Sequence, residues 1–328
     1  MAALTTESRM SLERELSTVF SDALESSSQL IGRVGIWRDQ YLGILPAKKE
    51  NWSANVNIPS TEYMVDTASE NVAAVAVGTE PIFRVESVSN VNSQRMEEWL
   101  SFWLDRVRFK MKASMAIREA ILTGQCWLKN GVVSSASQIS GMPIPVEEIG
   151  VMPTCNYVVT EDMMLIPFTA SSFASAKGAF GRTLLSWDDI AAGVKSKTFS
   201  SEAAEEIKTE WSRQRETSQI HTNQGVEEVT PYSVHGASFE CWEGIYRWAS
   251  PSETFTKEYF ITPYWVKEAA SKVVVLRCSD FKEAFGDSGW FYTPIICNPQ
   301  PNSLWGRPMT ESLRGLQNWV NAMFSMVS

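Results

Sequence analysis

The sequence predicts an α+β fold, on three observations. Apolar stripes at helical spacing occupy much of the chain up to Thr123 and return after Leu313. Short runs of strand character crowd the stretch from Phe239 to Ile296. The chain has 328 residues and is 44% hydrophobic, enough to build a real core in one large domain or two ordinary ones. Helical and strand segments come in mixed order, and no internal repeat is present.

Taken in order, Ser8 to Leu30 carries Leu12, Leu16, Val19, Phe20, Ala23 and Leu24 on one face of an amphipathic helix. Ser26-Ser27-Ser28 is expected to weaken or end it. Trp37 to Ile58 reads as irregular, with Trp37, Tyr41 and Trp52 among Gly43, Pro46 and the following Pro59. Thr61 to Val77 reads as a helix stopped by Gly78. Ile82-Phe83-Arg84-Val85-Glu86 alternates like a strand with one buried face. A single long helix is expected from Ser93 to Thr123, with Met96, Leu100, Trp103, Val107 and Met111 on one stripe and Gly124 as its stop. Its Arg106, Arg108, Lys110 and Lys112 read as a solvated face or a set of ion pairs.

Gly131 to Gly150 is rich in Ser and Pro and reads as a loop or hairpin tip, after which Val151 to Thr160 resumes as strand. Thr169 to Gly181 offers little apolar area and is expected to be a mobile loop. Ser186-Trp187-Asp188-Asp189 resembles a capping box opening a short helix, and Ser200 to Arg215 reads as a second, strongly charged one. Gln219 to Glu228 reads as a polar linker. Four strands follow, Phe239 to Trp248, Thr254 to Thr262, Lys272 to Cys278 and Trp290 to Ile296. The turn signals Ser250-Pro251-Ser252 and Gly286-Asp287-Ser288-Gly289 point to an antiparallel meander. From Leu313 the apolar positions Leu316, Val320, Met323 and Val327 form one seam of a closing helix, with no stop signal before Ser328.

Composition narrows the classes of function. A formal net charge of -9 and a pI near 5.0 repel phosphate, so a sequence-specific DNA reader is not expected. No apolar run reaches the length of a membrane span, and Met1 to Arg14 lacks the apolar core of a signal peptide, so a soluble, intracellular chain is expected. Cys126, Cys155, Cys241, Cys278 and Cys297 are scattered and odd in number, and read as reduced, mostly buried thiols. Thirteen tryptophans exceed ordinary usage and suit interfaces as well as cores, which favours an oligomer.

Motifs of catalysis are sparse. Gly286-Asp287-Ser288-Gly289 matches the core of a chymotrypsin-type nucleophile motif, yet a turn between strands needs Gly and Asp for backbone reasons alone. The two histidines, His221 and His235, sit in no setting suited to that family's base. Neither G-x-x-x-x-G-K-[ST] nor G-x-G-x-x-G occurs, so neither a motor ATPase nor a dinucleotide enzyme is expected. The scattered histidines and cysteines make no zinc set. Glu147-Glu148, Asp188-Asp189, Glu205-Glu206 and Glu227-Glu228 read as solvated surface, because adjacent residues diverge on any regular element. Asn51-Trp52-Ser53 has the form of a glycosylation sequon, here without a secretory signal. No catalytic residue, cofactor or metal is expected.

The residues that carry most information are architectural. Pro299 to Asn321 reads Pro-x-Pro-x-Ser-Leu-Trp-Gly-Arg-Pro-x-x-Glu-x-Leu-x-x-Leu-Gln-x-x-x-Asn. It resembles the signature of tailed-bacteriophage portal proteins of the podovirus type, in which an aromatic-Gly-Arg turn launches a helix. The matching positions are Trp305, Gly306, Arg307, Glu311, Leu313, Leu316, Gln317 and Asn321, with Val320 and Met323 completing the seam. Pro59 to Val85, the segment ending Ile121-Leu122-Thr123-Gly124 before Trp127-Leu128-Lys129, and Val151 to Phe168 with Leu184 to Ile190 are similar to the rest of that family's N-terminal half.

The resemblance implies an N-terminal helical arm over 1–58, an α+β wing over 59–308 and the start of a first stem helix over 309–328. The clip, second stem helix and crown would lie outside this chain. It further implies a head-to-tail ring of roughly twelve subunits at one capsid vertex. Its partners would be its own copies, the capsid protein, the terminase motor, a tail adaptor protein and double-stranded DNA passing through without sequence specificity. It would be a structural protein of the virion, assembled in the host cytoplasm, with no membrane partner and no enzymatic activity. Another head-completion or capsid-associated structural protein, or less readily a serine hydrolase built on Ser288, is the alternative. Removing the chain from Thr310 onward is expected to harm assembly more than folding.

Overall fold

The computed structural model describes residues 6–44, 58–80, 82–84, 86, 93–134, 151–172, 175–209, 211, 238–249, 258–267, 272–280 and 292–327. The fold is α+β, and the chain divides into two compact units, each discontinuous in sequence: Met1–Ser27 with Asp162–Gly289, and Ser28–Glu161 with Trp290–Ser328. This division does not follow the boundaries at 58 and 308. Helix α1 (Thr6–Tyr41) contributes residues to both units and runs for 36 residues, past the serines expected to end it. Ser26 and Ser27 donate their hydroxyls back to the carbonyls of Asp22 (2.8 Å) and Leu24 (2.9 Å), so both are satisfied within the helix. The helix also takes in Trp37 to Tyr41, read from sequence as irregular; Trp37 is buried.

In the first unit β3 (Met163–Ile166), β4 (Gly178–Ser186), β5 (Ser238–Ala249), β6 (Glu258–Lys267) and β7 (Val273–Asp280) form one antiparallel sheet in that order. Period-two alternation sends Val273 and Val275 of β7 to one face and Val274 and Leu276 to the other. On the first face Leu12, Leu16, Phe20 and Ala23 of α1 cover Trp242, Tyr246, Trp248 and Trp265. Phe20 stands edge-on to Trp242 and to Trp265 with ring centroids 4.8 Å away in each case, a favourable aromatic geometry. On the second face Ile190 of α5 (Trp187–Lys195) and Ala203, Ala204 and Ile207 of α6 (201–209) pack on Cys241, Tyr264 and Val266. Ser186 caps α5 as read: its Oγ accepts from the Asp189 amide (3.2 Å), and the Asp189 carboxylate accepts from the Ser186 amide (3.0 Å).

Two expectations fail in this unit. The stretch read as a mobile loop contains the start of β4, and Ala176, Ala179 and Phe180 are fully buried. Its small residues allow close packing: a Cβ on Gly178 would lie 2.7 Å from the Tyr246 ring and 3.1 Å from the Ile245 carbonyl. The second strand of the expected meander runs from Glu258 to Lys267 instead of stopping at Thr262. Pairing with β5 skips Thr262 and Pro263, so no ladder amide is required of Pro263 toward β5, while both residues stand opposite β7.

The second unit contains α2 (Ser60–Val77), α3 (Ser93–Arg106), α4 (Phe109–Thr123), α7 (Met309–Val327) and an antiparallel sheet of β2 (Val151–Val158), β1 (Gln125–Ser134) and β8 (Tyr292–Ile296), in the order β2-β1-β8. Its core joins Val65 of α2 with Ile117, Ile121 and Leu122 of α4, backed by Tyr41, Ile295 and Met309. The long helix expected over Ser93 to Thr123 is broken in two, since Arg108 takes a left-handed φ of 55° between α3 and α4. Ile82, Phe83, Arg84 and Glu86 form no strand. β8 is not a fourth strand of the meander: it joins the other sheet, with Trp127 opposite Pro294. Three of the four basic residues are engaged locally. Lys110 pairs with Glu80 (2.5 Å), Lys112 donates to the Cys155 carbonyl (2.6 Å), and the Arg106 guanidinium lies 5.9 Å from the Trp103 ring centre. No helix of the described residues is long and apolar enough to cross a membrane.

Candidate functional site

The signature residues converge where β8 ends and α7 begins, inside the second unit. Asn298 (φ 43°) and Asn302 (φ 56°) take left-handed conformations that asparagine tolerates, and between them the chain doubles back. Pro299 and Gly306 form a bridge, and the Arg307 amide donates to the Asn298 carbonyl at 3.1 Å. Trp305 donates its amide to the Ser303 hydroxyl (3.0 Å), while Leu304 is buried. Gly306 then meets Gly124, the stop of α4, backbone to backbone. A Cβ on Gly306 would lie 2.2 Å from the Gly124 carbonyl and 2.4 Å from that of Cys297. Gly124 itself has a φ of 98°, its amide capping α4 through Ala120 (2.9 Å) and its carbonyl accepting from Cys297 (2.8 Å). With its amide oriented to satisfy both neighbours, the Gln125 side chain completes the junction, its nitrogen donating to the Leu304 carbonyl (2.8 Å) and its oxygen accepting from Trp127 Nε1 (3.3 Å).

Helix α7 is held by a polar stripe. Thr310, fully buried, donates to the Leu122 carbonyl at 2.8 Å, one of the last carbonyls of α4. Gln317 caps α2 from outside: its Oε1 accepts from the Thr61 amide and hydroxyl, each at 3.2 Å, and from the Ser60 hydroxyl. Pro59 gives that helix no side-chain cap of its own. The Gln317 Nε2 donates to the Ile58 carbonyl and to Asn321 Oδ1 (3.0 Å), which also accepts from the Ile58 amide (3.1 Å). Gln40 of α1 adds donations to Thr61 Oγ1 (3.0 Å) and the Thr310 carbonyl (3.3 Å). Arg307 and Glu311 form an ion pair at 3.0 Å on the exposed side.

The apolar seam faces the other way. Leu316, Trp319 and Met323 are 46%, 61% and 47% exposed, while Leu313 and Val320 are half-buried. Sequence reasoning placed Gln317 and Asn321 in the site without their roles, and it missed Thr310, Gly124 and Gln40. Periodicity could not have found the polar stripe, because it registers apolar spacing alone.

A charged cluster lies in the same unit. The Arg38 guanidinium is forked between Glu119 and Glu161, at 2.5 Å from each. Burial pushes the Glu119 carboxyl above its ordinary range; Arg38 pulls it back without cancelling the shift, and Glu161 adds to it. Thr123 and Thr160 share a hydrogen bond of 2.9 Å beside this group. Burial also pushes the Cys126 thiol up to about 12, so it is an inert protonated thiol, and all five cysteines are free.

Among the described residues no group of three or more His, Cys, Asp or Glu side chains could hold a metal ion. His221, His235, Ser288, Glu147-Glu148 and Glu227-Glu228 lie outside the described residues. Asp189 serves the capping box, and Glu206 pairs with Arg9 (2.8 Å) and Lys272. No family model matches this chain and no curated protein matches it.

Proposed function

We propose that the chain is a subunit of the ring-shaped portal of a tailed bacteriophage, a structural protein that forms a channel for genome packaging and ejection. The observation that carries this reading is the two-faced last helix. Thr310, Gln317 and Asn321 tie α7 to its own subunit, and Leu316, Trp319 and Met323 stand exposed along the helix that follows the Trp305-Gly306-Arg307 turn. An apolar stripe held rigidly outward is suited to packing lengthwise against neighbouring copies, as a stem helix does. The net charge of -9 suits a channel that passes duplex DNA without gripping it. Capsid protein, packaging motor and tail adaptor are the partners this reading brings, in the virion. Electron microscopy and light scattering of the purified protein test it. Closed rings with an axial hole are the expected result, and a monomer or an icosahedral lattice would overturn it.

A further inference from the structure

Helix α3 is amphipathic and yet buries none of its residues. Arg95, Trp99, Phe102 and Arg106 follow one another at steps of four, three and four, so they share one face. Met96, Trp99 and Phe102 are each about half exposed, and Arg95 and Arg106 are exposed. Aromatic side chains flanked by arginines are the composition of a binding hot spot. A receptor of matching chemistry lies on the same unit. A groove of about 540 Å³ runs between α2 and α4, with Ala73, Ala74, Val77 and Met115 in its lining and Glu70 at its rim. The α3 residues are absent from that lining. Lys110 and Arg118 on the opposite rim are already engaged, with Glu80 and Asp66. Glu70 makes no ion pair among the described residues.

We infer that α3 of one subunit docks into the α2–α4 groove of a second copy, seating Trp99 and Phe102 among its small apolar residues and setting Arg95 or Arg106 against Glu70. This rests on the ring reading and names the contact that would build the ring. Charge decides the occupant. The two arginines need an acidic partner, and a chain of net charge -9 that carries an unengaged carboxylate at the edge of an apolar groove is one. Knob and groove are different surfaces of the same subunit, so the contact can repeat head-to-tail from copy to copy, and it gives a ring where the rotation closes.

The test uses the full chain. Gln94→Cys lies beside the knob and Asn71→Cys beside the groove, both at exposed positions. A short bismaleimide added to a mixture of the two variants gives a cross-linked dimer that neither gives alone, with wild type as the blank. The double variant gives a ladder. R95E/R106E turns rings into monomers at an unchanged melting temperature, and adding E70R to that double variant restores rings. Wild-type rings that persist in R95E/R106E and W99A/F102A, with no cross-linked dimer from the mixture of Gln94→Cys and Asn71→Cys, overturn the docking and leave the ring reading standing. A monomeric wild type overturns both. Binding to anionic vesicles or to nucleic acid that R95E/R106E abolishes, without self-association, overturns the choice of occupant.

Discussion

At the scale of single residues, Gly306 and Glu119 are the two positions whose chemistry is most exposed to test. Gly306 is needed for space: its missing Cβ is what lets the turn lie on the end of α4. Gly306→Ala forces backbone apart and should cost about 2–3 kcal/mol, read as a shift of the urea midpoint followed by tryptophan fluorescence. The glycine was legible in the sequence as part of a motif; its partner Gly124, 182 positions earlier, was legible only as a helix stop. Glu119 is a question of proton affinity. Its carboxyl is raised in the folded protein, mainly by burial. Its contribution to stability is therefore fully present below the ordinary carboxylate range and is lost as the pH rises through the raised value. As the pH rises from the ordinary carboxylate range through the raised value, the melting temperature should fall less in Glu119→Gln than in wild type, measured by circular dichroism. An equal fall in both would show that Glu119 does not set the slope.

At the scale of elements, local signals succeeded where the stabilising partners are local. The capping box at Ser186 was readable because both of its hydrogen bonds close within four residues. Ser186→Ala should cost about 1 kcal/mol, detectable as loss of amide protection in α5. The serines of α1 misled because the same hydroxyl that can end a helix can also bond back into it, and burial of apolar residues on both sides of them, Phe20 and Ala23 before and Val34 and Trp37 after, favours the continuous helix. For α7 the seam was legible and its direction was not. With Thr310 and Gln317 buried against α4 and α2, removing the whole helix would cost folding as well as assembly. The cleaner experiment is Leu316→Asp with Met323→Asp, at exposed positions. The pair should leave thermal unfolding within about 0.5 kcal/mol of wild type and abolish higher assembly in light scattering.

At the scale of the whole molecule, the acidic balance sets what the protein will not hold. Duplex DNA at physiological salt should bind no more tightly than about 10⁻⁴ M in a filter or anisotropy assay, since a net charge of -9 repels the phosphates. Micromolar binding with a steep salt slope would contradict the channel reading. By itself the sequence determined the α+β class, most helix positions, the acidic surface and the signature turn, because these depend on composition and on contacts a few residues apart. Tertiary structure alone decided that β8 leaves the meander for the other sheet, that the helix expected over Ser93 to Thr123 breaks at Arg108, and that each unit is assembled from distant segments. It also decided that α7 turns its polar stripe inward, where Gln317 caps a helix that begins 257 residues before it. Such choices depend on which distant backbone groups remain unsatisfied, and periodicity along the chain carries no record of them.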